Sequence, residues 1–126
     1  MRVLVLEDRE ERCREFRRRC PPSFDLTIAT NAQGAIDALA RQSWNIVFLD
    51  HDLNDECNIE FRFMPANTGM TVVRYLCCGP RAVGNIVIHS DNQSASRRMR
   101  DLLLAAGYHA SRMPYSGMNW AEFLQV

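Results

Sequence analysis

Three short apolar runs, each closing on acids, imidazoles or small polar groups, constrain the fold of this chain more than any other feature. Arg2-Val3-Leu4-Val5-Leu6 runs into Glu7-Asp8, Asn45-Ile46-Val47-Phe48 into Leu49-Asp50-His51-Asp52-Leu53, and Asn85-Ile86-Val87 into Ile88-His89-Ser90-Asp91-Asn92. Continuous, largely β-branched runs of this kind read as strands buried on both faces of a parallel sheet. Ligands of open α/β sheets bind beyond the carboxyl ends of the strands. Asp8, Asp50, His51, Asp52, His89, Ser90 and Asn92 are therefore expected along one rim, a combination suited to phosphate chemistry.

Helix signals fill the intervals. Arg9 to Arg19 is charged, with Cys13, Phe16 and Cys20 at helical spacing, and Pro21-Pro22 stops it. Phe24 to Ala29 alternates as a strand, Asn31 can cap a helix over Ala32 to Arg41, and Trp44 to Leu49 is the third strand. Thr68 to Cys77 reads as a short helix ended by Gly79-Pro80, and Asn85 to His89 as strand four. Ser94 or Ser96 is expected to cap a fourth helix that stops at Gly107, followed by a weaker strand over Tyr108 to Arg112 and a short helix over Asn119 to Gln125. Five βα units with tight connections make residues 1–126 one α/β domain, a doubly wound parallel sheet with helices on both faces.

One segment departs from this rhythm. Between strand three and its helix, residues 54–67 span about fourteen positions, against the ~2–6 usual for a βα loop. The segment carries Phe61, Phe63 and Met64 beside the acid-imidazole motif. A flap over the site, with Phe61 or Phe63 stacking on a nucleobase, is one expectation. Packing on the domain, or contact with a second copy in a homodimer, is the other.

Bulk properties exclude several classes. The net charge is zero, so nothing global favours duplex DNA or a membrane surface. All 15 basic residues are arginine, and no chemistry here can use a lysine. The five cysteines, Cys13, Cys20, Cys57, Cys77 and Cys78, are odd in number and irregular in spacing, against a disulfide framework or a structural zinc site. The apolar start is too short for a signal peptide, and no stretch reaches the ~20 apolar residues of a membrane span. A reducing, cytoplasmic setting is expected.

The motif order resembles the receiver domains of two-component signalling. Glu7-Asp8 falls at their acidic pair, Asp50 at the phospho-accepting position and Ser90 near their Ser/Thr, while the region Ser111-Arg112-Met113-Pro114-Tyr115 keeps their proline and aromatic but not their lysine. The resemblance implies a sheet order of 2-1-3-4-5. A narrower resemblance joins Leu49-Asp50-His51-Asp52-Leu53, Thr68-Gly69, Ile88-His89-Ser90-Asp91-Asn92 and Met99 to the cyclic-phosphate-processing receiver-like family of phages and bacteria. It implies a ligand with a cyclic phosphate, in a nucleotide or at an RNA end, in RNA repair or phage-host conflict.

The residues themselves suggest roles. Asp8, Asp50 and Asp52 are candidates to hold a divalent metal, Mg²⁺ or Mn²⁺, because hard cations prefer carboxylate oxygens; the alternative is that one of them caps a loop and another pairs with an arginine. His51 and His89, on neighbouring strands ~4.8 Å apart, can flank one phosphate and move protons, as imidazole suits transfer in both directions near neutral pH. Asp50 has a second role open to it as a nucleophile. Ser90, Asn92 and Thr68 can bind substrate phosphate at helix N-termini, or simply cap those helices. Three functions remain open: a metal-assisted phosphodiesterase-like enzyme, a module that sequesters a cyclic nucleotide uncleaved, and a degenerate signalling receiver.

Overall fold

The computed structural model describes residues 1–53 and 67–119. The strands β1 (Arg2–Leu6), β2 (Asp25–Ala29), β3 (Trp44–Leu49), β4 (Val83–Ile88) and β5 (His109–Arg112) form one sheet in the order β2-β1-β3-β4-β5. Every pairing is parallel, and β3 sits between β1 and β4 with Leu6 opposite Leu49 and Leu49 opposite Ile88. That register brings the segments after β1, β3 and β4 to one rim, and the expected doubly wound sheet is the fold.

Side chains alternate across each strand. Leu4, Leu6, Val47, Leu49, Ile86 and Ile88 face helices α2 (Ala32–Arg41), α3 (Gly69–Cys77) and α4 (Gln93–Ala105). Val3, Val5, Ile46, Phe48 and Val87 form a second core around Phe16 of α1 (Glu10–Arg19), joined by Met113, Tyr115 and Met118. Among the described residues, no helix is long and apolar enough to cross a membrane.

Local chemistry explains the helix ends. Asn31 caps α2 by accepting from the Gly34 amide at 2.7 Å, and Asn67 accepts from the Ala32 amide at 2.7 Å. The cap of α4 is Asn92, whose Oδ1 accepts from the Ala95 amide at 3.2 Å, and not Ser94 or Ser96. Ser96 lies one turn inside the helix, and its hydroxyl donates back to the carbonyls of Asn92 and Ser90. Gly107, at φ +92°, ends α4 as expected: its amide bonds the Leu104 carbonyl and the Tyr108 amide bonds that of Leu103. Strand β4 begins two residues earlier than its apolar run because Val83 pairs with Trp44. A short 3-10 turn, η1 (Tyr115–Gly117), follows β5. The expected flap over 54–67, with Phe61, Phe63 and Met64, lies outside the described residues except for Asn67; so does the expected last helix beyond Asn119.

Candidate active site at the carboxyl rim of the sheet

The floor of the site is a buried ionic cluster. Glu7, the first residue after β1, is fully buried. One of its oxygens accepts from the amides of Asp8 and Arg9 at 3.0 and 3.2 Å. The other faces His89 Nε2 at 3.2 Å and lies 3.6 Å from the Arg12 guanidinium. Burial alone pushes the Glu7 carboxyl up, but the bond and charge of His89, the Arg9 amide and Arg12 together hold it below the usual range.

His89 has no solvent exposure. Phe16 and Phe48 meet its ring edge-on, with centroids 5.3 and 6.3 Å away. A carboxylate only accepts, so Nε2 donates to Glu7. Nδ1 is buried with no hydrogen-bond partner among the described residues. A proton placed on Nδ1 would be an orphaned buried donor, costing about 1–3 kcal/mol. The pocket therefore selects the tautomer that ties His89 to Glu7.

Asp50 follows β3 and is 4% exposed. Its Oδ1 accepts from the His51 amide at 2.8 Å. Burial, with the nearby Glu7 charge, pushes its carboxyl up to about 6, against the opposing pull of His89, the His51 amide and Ser90. One ligand atom each from Glu7, Asp50 and His89 lies within 4.8 Å of the others. Among the described residues this is the cluster able to surround a cation. It shares only Asp50 with the expected set of Asp8, Asp50 and Asp52.

A second imidazole sits higher. His51 is partly exposed, and its Nδ1 lies 2.6 Å from Asp52 Oδ1. Asp52 also accepts weakly from the Asn92 amide group at 3.3 and 3.4 Å. The Thr68 segment bridges back to Asp52, and the Gly69 amide donates to the His51 carbonyl at 3.1 Å. A Cβ on Gly69 would stand 1.9 Å from the Asp50 carbonyl oxygen. The Thr68-Gly69 pair thus lets the start of α3 close directly onto the turn that carries Asp50, His51 and Asp52.

Above this floor opens a cleft of about 380 Å³ lined by Arg9, Arg12, Asp50, Asp52, Ser90, Asp91 and Asn92. Ser90 Oγ accepts from the Asn92 amide at 3.1 Å, so both are ordered by the turn into α4. Arg12 donates to Asp91 at 3.0 Å, and its guanidinium lies 4.3 Å over the Tyr115 ring. A roomier groove of about 510 Å³, at Cys20, Pro21, Pro22 and Leu26, has no comparable cluster of interacting acids and imidazoles. Of the residues singled out in the sequence, Asp50, Asp52, Ser90 and Asn92 line the cleft; Asp8, His51, Thr68 and His89 do not, and Phe61 lies outside the described residues. Sequence reasoning passed over two participants. Glu7 was visible in the acidic pair, but only Asp8 was given a role. Arg12 carried no signal beyond lying one helical turn from the buried Phe16.

Solved structures similar to this chain include response-regulator receivers. The signal receiver domain of a LuxO-type repressor protein from Vibrio parahaemolyticus is 17% identical with a TM-score of 0.66, covering 96% of this chain and 82% of that one. A response regulator from Colwellia psychrerythraea is 18% identical with a TM-score of 0.63, covering 98% and 90%. One from Burkholderia pseudomallei, solved with a phosphorylated aspartic acid, a calcium ion and citrate, is 17% identical with a TM-score of 0.55, covering 87% and 59%. At these identities the likeness shows the fold. No curated protein matches the chain. The family described as the cyclic-phosphate processing receiver domain matches residues 2–105, and the chain belongs to that family.

Proposed function

We propose that the chain is a metal-assisted phosphodiesterase-like enzyme that opens a cyclic phosphate, in a nucleotide or at an RNA end. The observation that carries this reading is the Glu7–Asp50–His89 cluster at the foot of a cleft lined by arginines and by Ser90 and Asn92. Two buried carboxylates side by side are unfavourable; burial first, and the Glu7 charge second, raise the pKa of Asp50. A divalent cation relieves such a pair, and oxygen donors suit Mg²⁺ or Mn²⁺. Glu7 and Asp50 would hold it, and when bound it supplies charge neutralisation and an activated water.

The remaining chemistry belongs to the chain. Asp52 accepts the Nδ1 proton of His51, which leaves Nε2 as the atom that takes a proton from water or returns one to the departing ribose oxygen. Ser90 and Asn92 orient the phosphate. His89 acts through Glu7, which it fixes. The attacking water oxygen bonds to phosphorus, one ester P–O bond of the ring breaks, and the proton ends on the released hydroxyl.

A second reading, a signalling receiver phosphorylated on Asp50, draws support from the place of Asp50 after β3 in a fold shared with response regulators. The test is a panel of cyclic mononucleotides, cyclic dinucleotides and RNA ending in a 2′,3′-cyclic phosphate, incubated with and without EDTA. Turnover that EDTA abolishes, and that falls roughly 10²–10⁴-fold in His51→Ala, is expected. Ligand bound but recovered intact would make the chain a sequestering module. Labelling of Asp50 by a small phosphodonor, with every cyclic phosphate untouched, would make it a receiver.

A further inference from the structure

We propose that Arg12 is the phosphate-gripping cation of this cleft, a guanidinium fork held ready for phosphoryl oxygens by the ring of Tyr115 and the carboxylate of Asp91. The class of ligand rests on the function proposed above; the existence of an anion grip does not.

The Arg12 side chain is only 13% exposed. A guanidinium has five N–H donors, and here one hydrogen bond is made, from NH2 to Asp91. NH1 is 3.6 Å from Glu7, within ion-pair range but beyond a hydrogen bond. Four donors therefore have no protein acceptor among the described residues, on a charged group largely withdrawn from water. None of the Arg12 nitrogens is both buried and without a partner, so the donors that Asp91 does not take up are open to what enters the cleft. Arg12 lines the cleft beside Ser90 and Asn92, so the contents of the cleft are what it can bind.

The group is also held still. The Tyr115 ring lies 4.3 Å from its central carbon, and Asp91 grips one edge. Tyr115 is itself fixed by its amide, which donates to the His89 carbonyl at 2.8 Å. Asp91 is anchored on its other oxygen by the Ser116 hydroxyl at 3.2 Å. A planar fork with its orientation set in advance binds two oxygens of a phosphate at little entropic expense. Asp91 is 45% exposed, so its pairing with Arg12 is weak enough for an arriving phosphate to compete with. Arg9 also lines the cleft, but its side chain has no such anchors among the described residues. With no lysine in the chain, the anion grip falls to arginine.

The experiment is a titration of the full chain with orthophosphate in low-salt buffer containing EDTA, followed by amide NMR shifts. Wild type is expected to saturate in the millimolar range. Arg12→Gln should weaken binding by roughly tenfold or more, the scale of charge-assisted hydrogen bonds. Arg12→Lys, which keeps the charge but loses the fork, and Tyr115→Leu, which removes no phosphate contact, should each weaken it severalfold; Arg9→Gln should change it much less. If Arg12→Gln fails to fold, the Arg12→Lys and Tyr115→Leu titrations decide. Absence of wild-type binding, or equal affinity in the Arg12 variants that fold, overturns the proposal. Orthophosphate binding lost in Arg12→Gln while every cyclic phosphate stays intact would refute the enzymatic reading and leave the grip standing. Equal hydrolysis and equal orthophosphate affinity in wild type and Arg12→Gln would refute the grip alone.

Discussion

Replacing Asp50 with asparagine should stabilise the metal-free protein above pH 6 and not below pH 4. Asp50 is 4% exposed, and its carboxyl is raised from 3.8 to about 6 by burial and by the neighbouring Glu7. The folded protein thus holds this proton more tightly than the unfolded chain does. The stability contributed by the neutral carboxyl is complete below pH 3.8 and is lost as the pH rises through about 6. At 1.36 kcal/mol per pH unit, the loss reaches about 3 kcal/mol by pH 8. Asparagine does not titrate, can still accept from the His51 amide, and escapes this loss. Urea unfolding in EDTA should therefore show the Asp50→Asn advantage growing by about 3 kcal/mol from pH 4 to pH 8, or roughly 10 °C in Tm for a domain of this size. Groups that do not interact with Asp50 cancel in the difference. A pH-independent offset, or a wild type more stable than Asp50→Asn at pH 8, would refute the picture of a carboxylate strained by burial.

Three further outcomes follow from the same geometry. Millimolar Mg²⁺ or Mn²⁺ should raise the Tm of wild type by mass action and leave Asp50→Asn unchanged, as thermal melts would register. His89→Ala removes a fully buried ring and strands Glu7, so it should cost about 3–5 kcal/mol in urea unfolding, whereas His51→Ala, partly exposed, should cost within about 1 kcal/mol. Gly69→Ala forces the start of α3 away from the Asp50 carbonyl; a loss of at least about 3 kcal/mol is expected, and a Tm within a degree of wild type would show that the close approach is not needed.

The sheet was legible because apolar runs at Val3–Leu6, Ile46–Leu49 and Ile86–Ile88 fit only strands covered on both faces, and the polar residues after each run marked the rim. The order of the strands came through the resemblance carried by Glu7-Asp8 and Asp50. What could not be read were the angles after the strands end. Asp50, His51 and Asp52 alternate in sequence, yet one is buried, one half-turned toward its neighbour and one exposed, because the Gly69 amide and the Thr68 bridge turn the chain there. His51 and His89 look equivalent as letters; Phe16, from a helix far earlier in the chain, closes one of them off. Glu7 and Arg12 meet only because α1 folds back across the end of β1, a contact no local pattern encodes. Asn92 took the cap expected of Ser94 or Ser96: its Oδ1 accepts from the Ala95 amide, and the helix begins two residues sooner than a cap at Ser94 would set it.

The central claim is that this rim breaks a cyclic phosphate. Phosphorus NMR of 2′,3′-cyclic mononucleotides, RNA bearing a 2′,3′-cyclic phosphate and cyclic dinucleotides, each incubated with the wild-type chain and Mn²⁺, tests it most directly. The account predicts that at least one cyclic signal converts to an opened phosphate, and that EDTA, Asp50→Asn or His51→Ala each suppress the conversion. Cyclic signals that persist unchanged throughout, with a phosphoryl group appearing on Asp50 when a small phosphodonor is added, would contradict it.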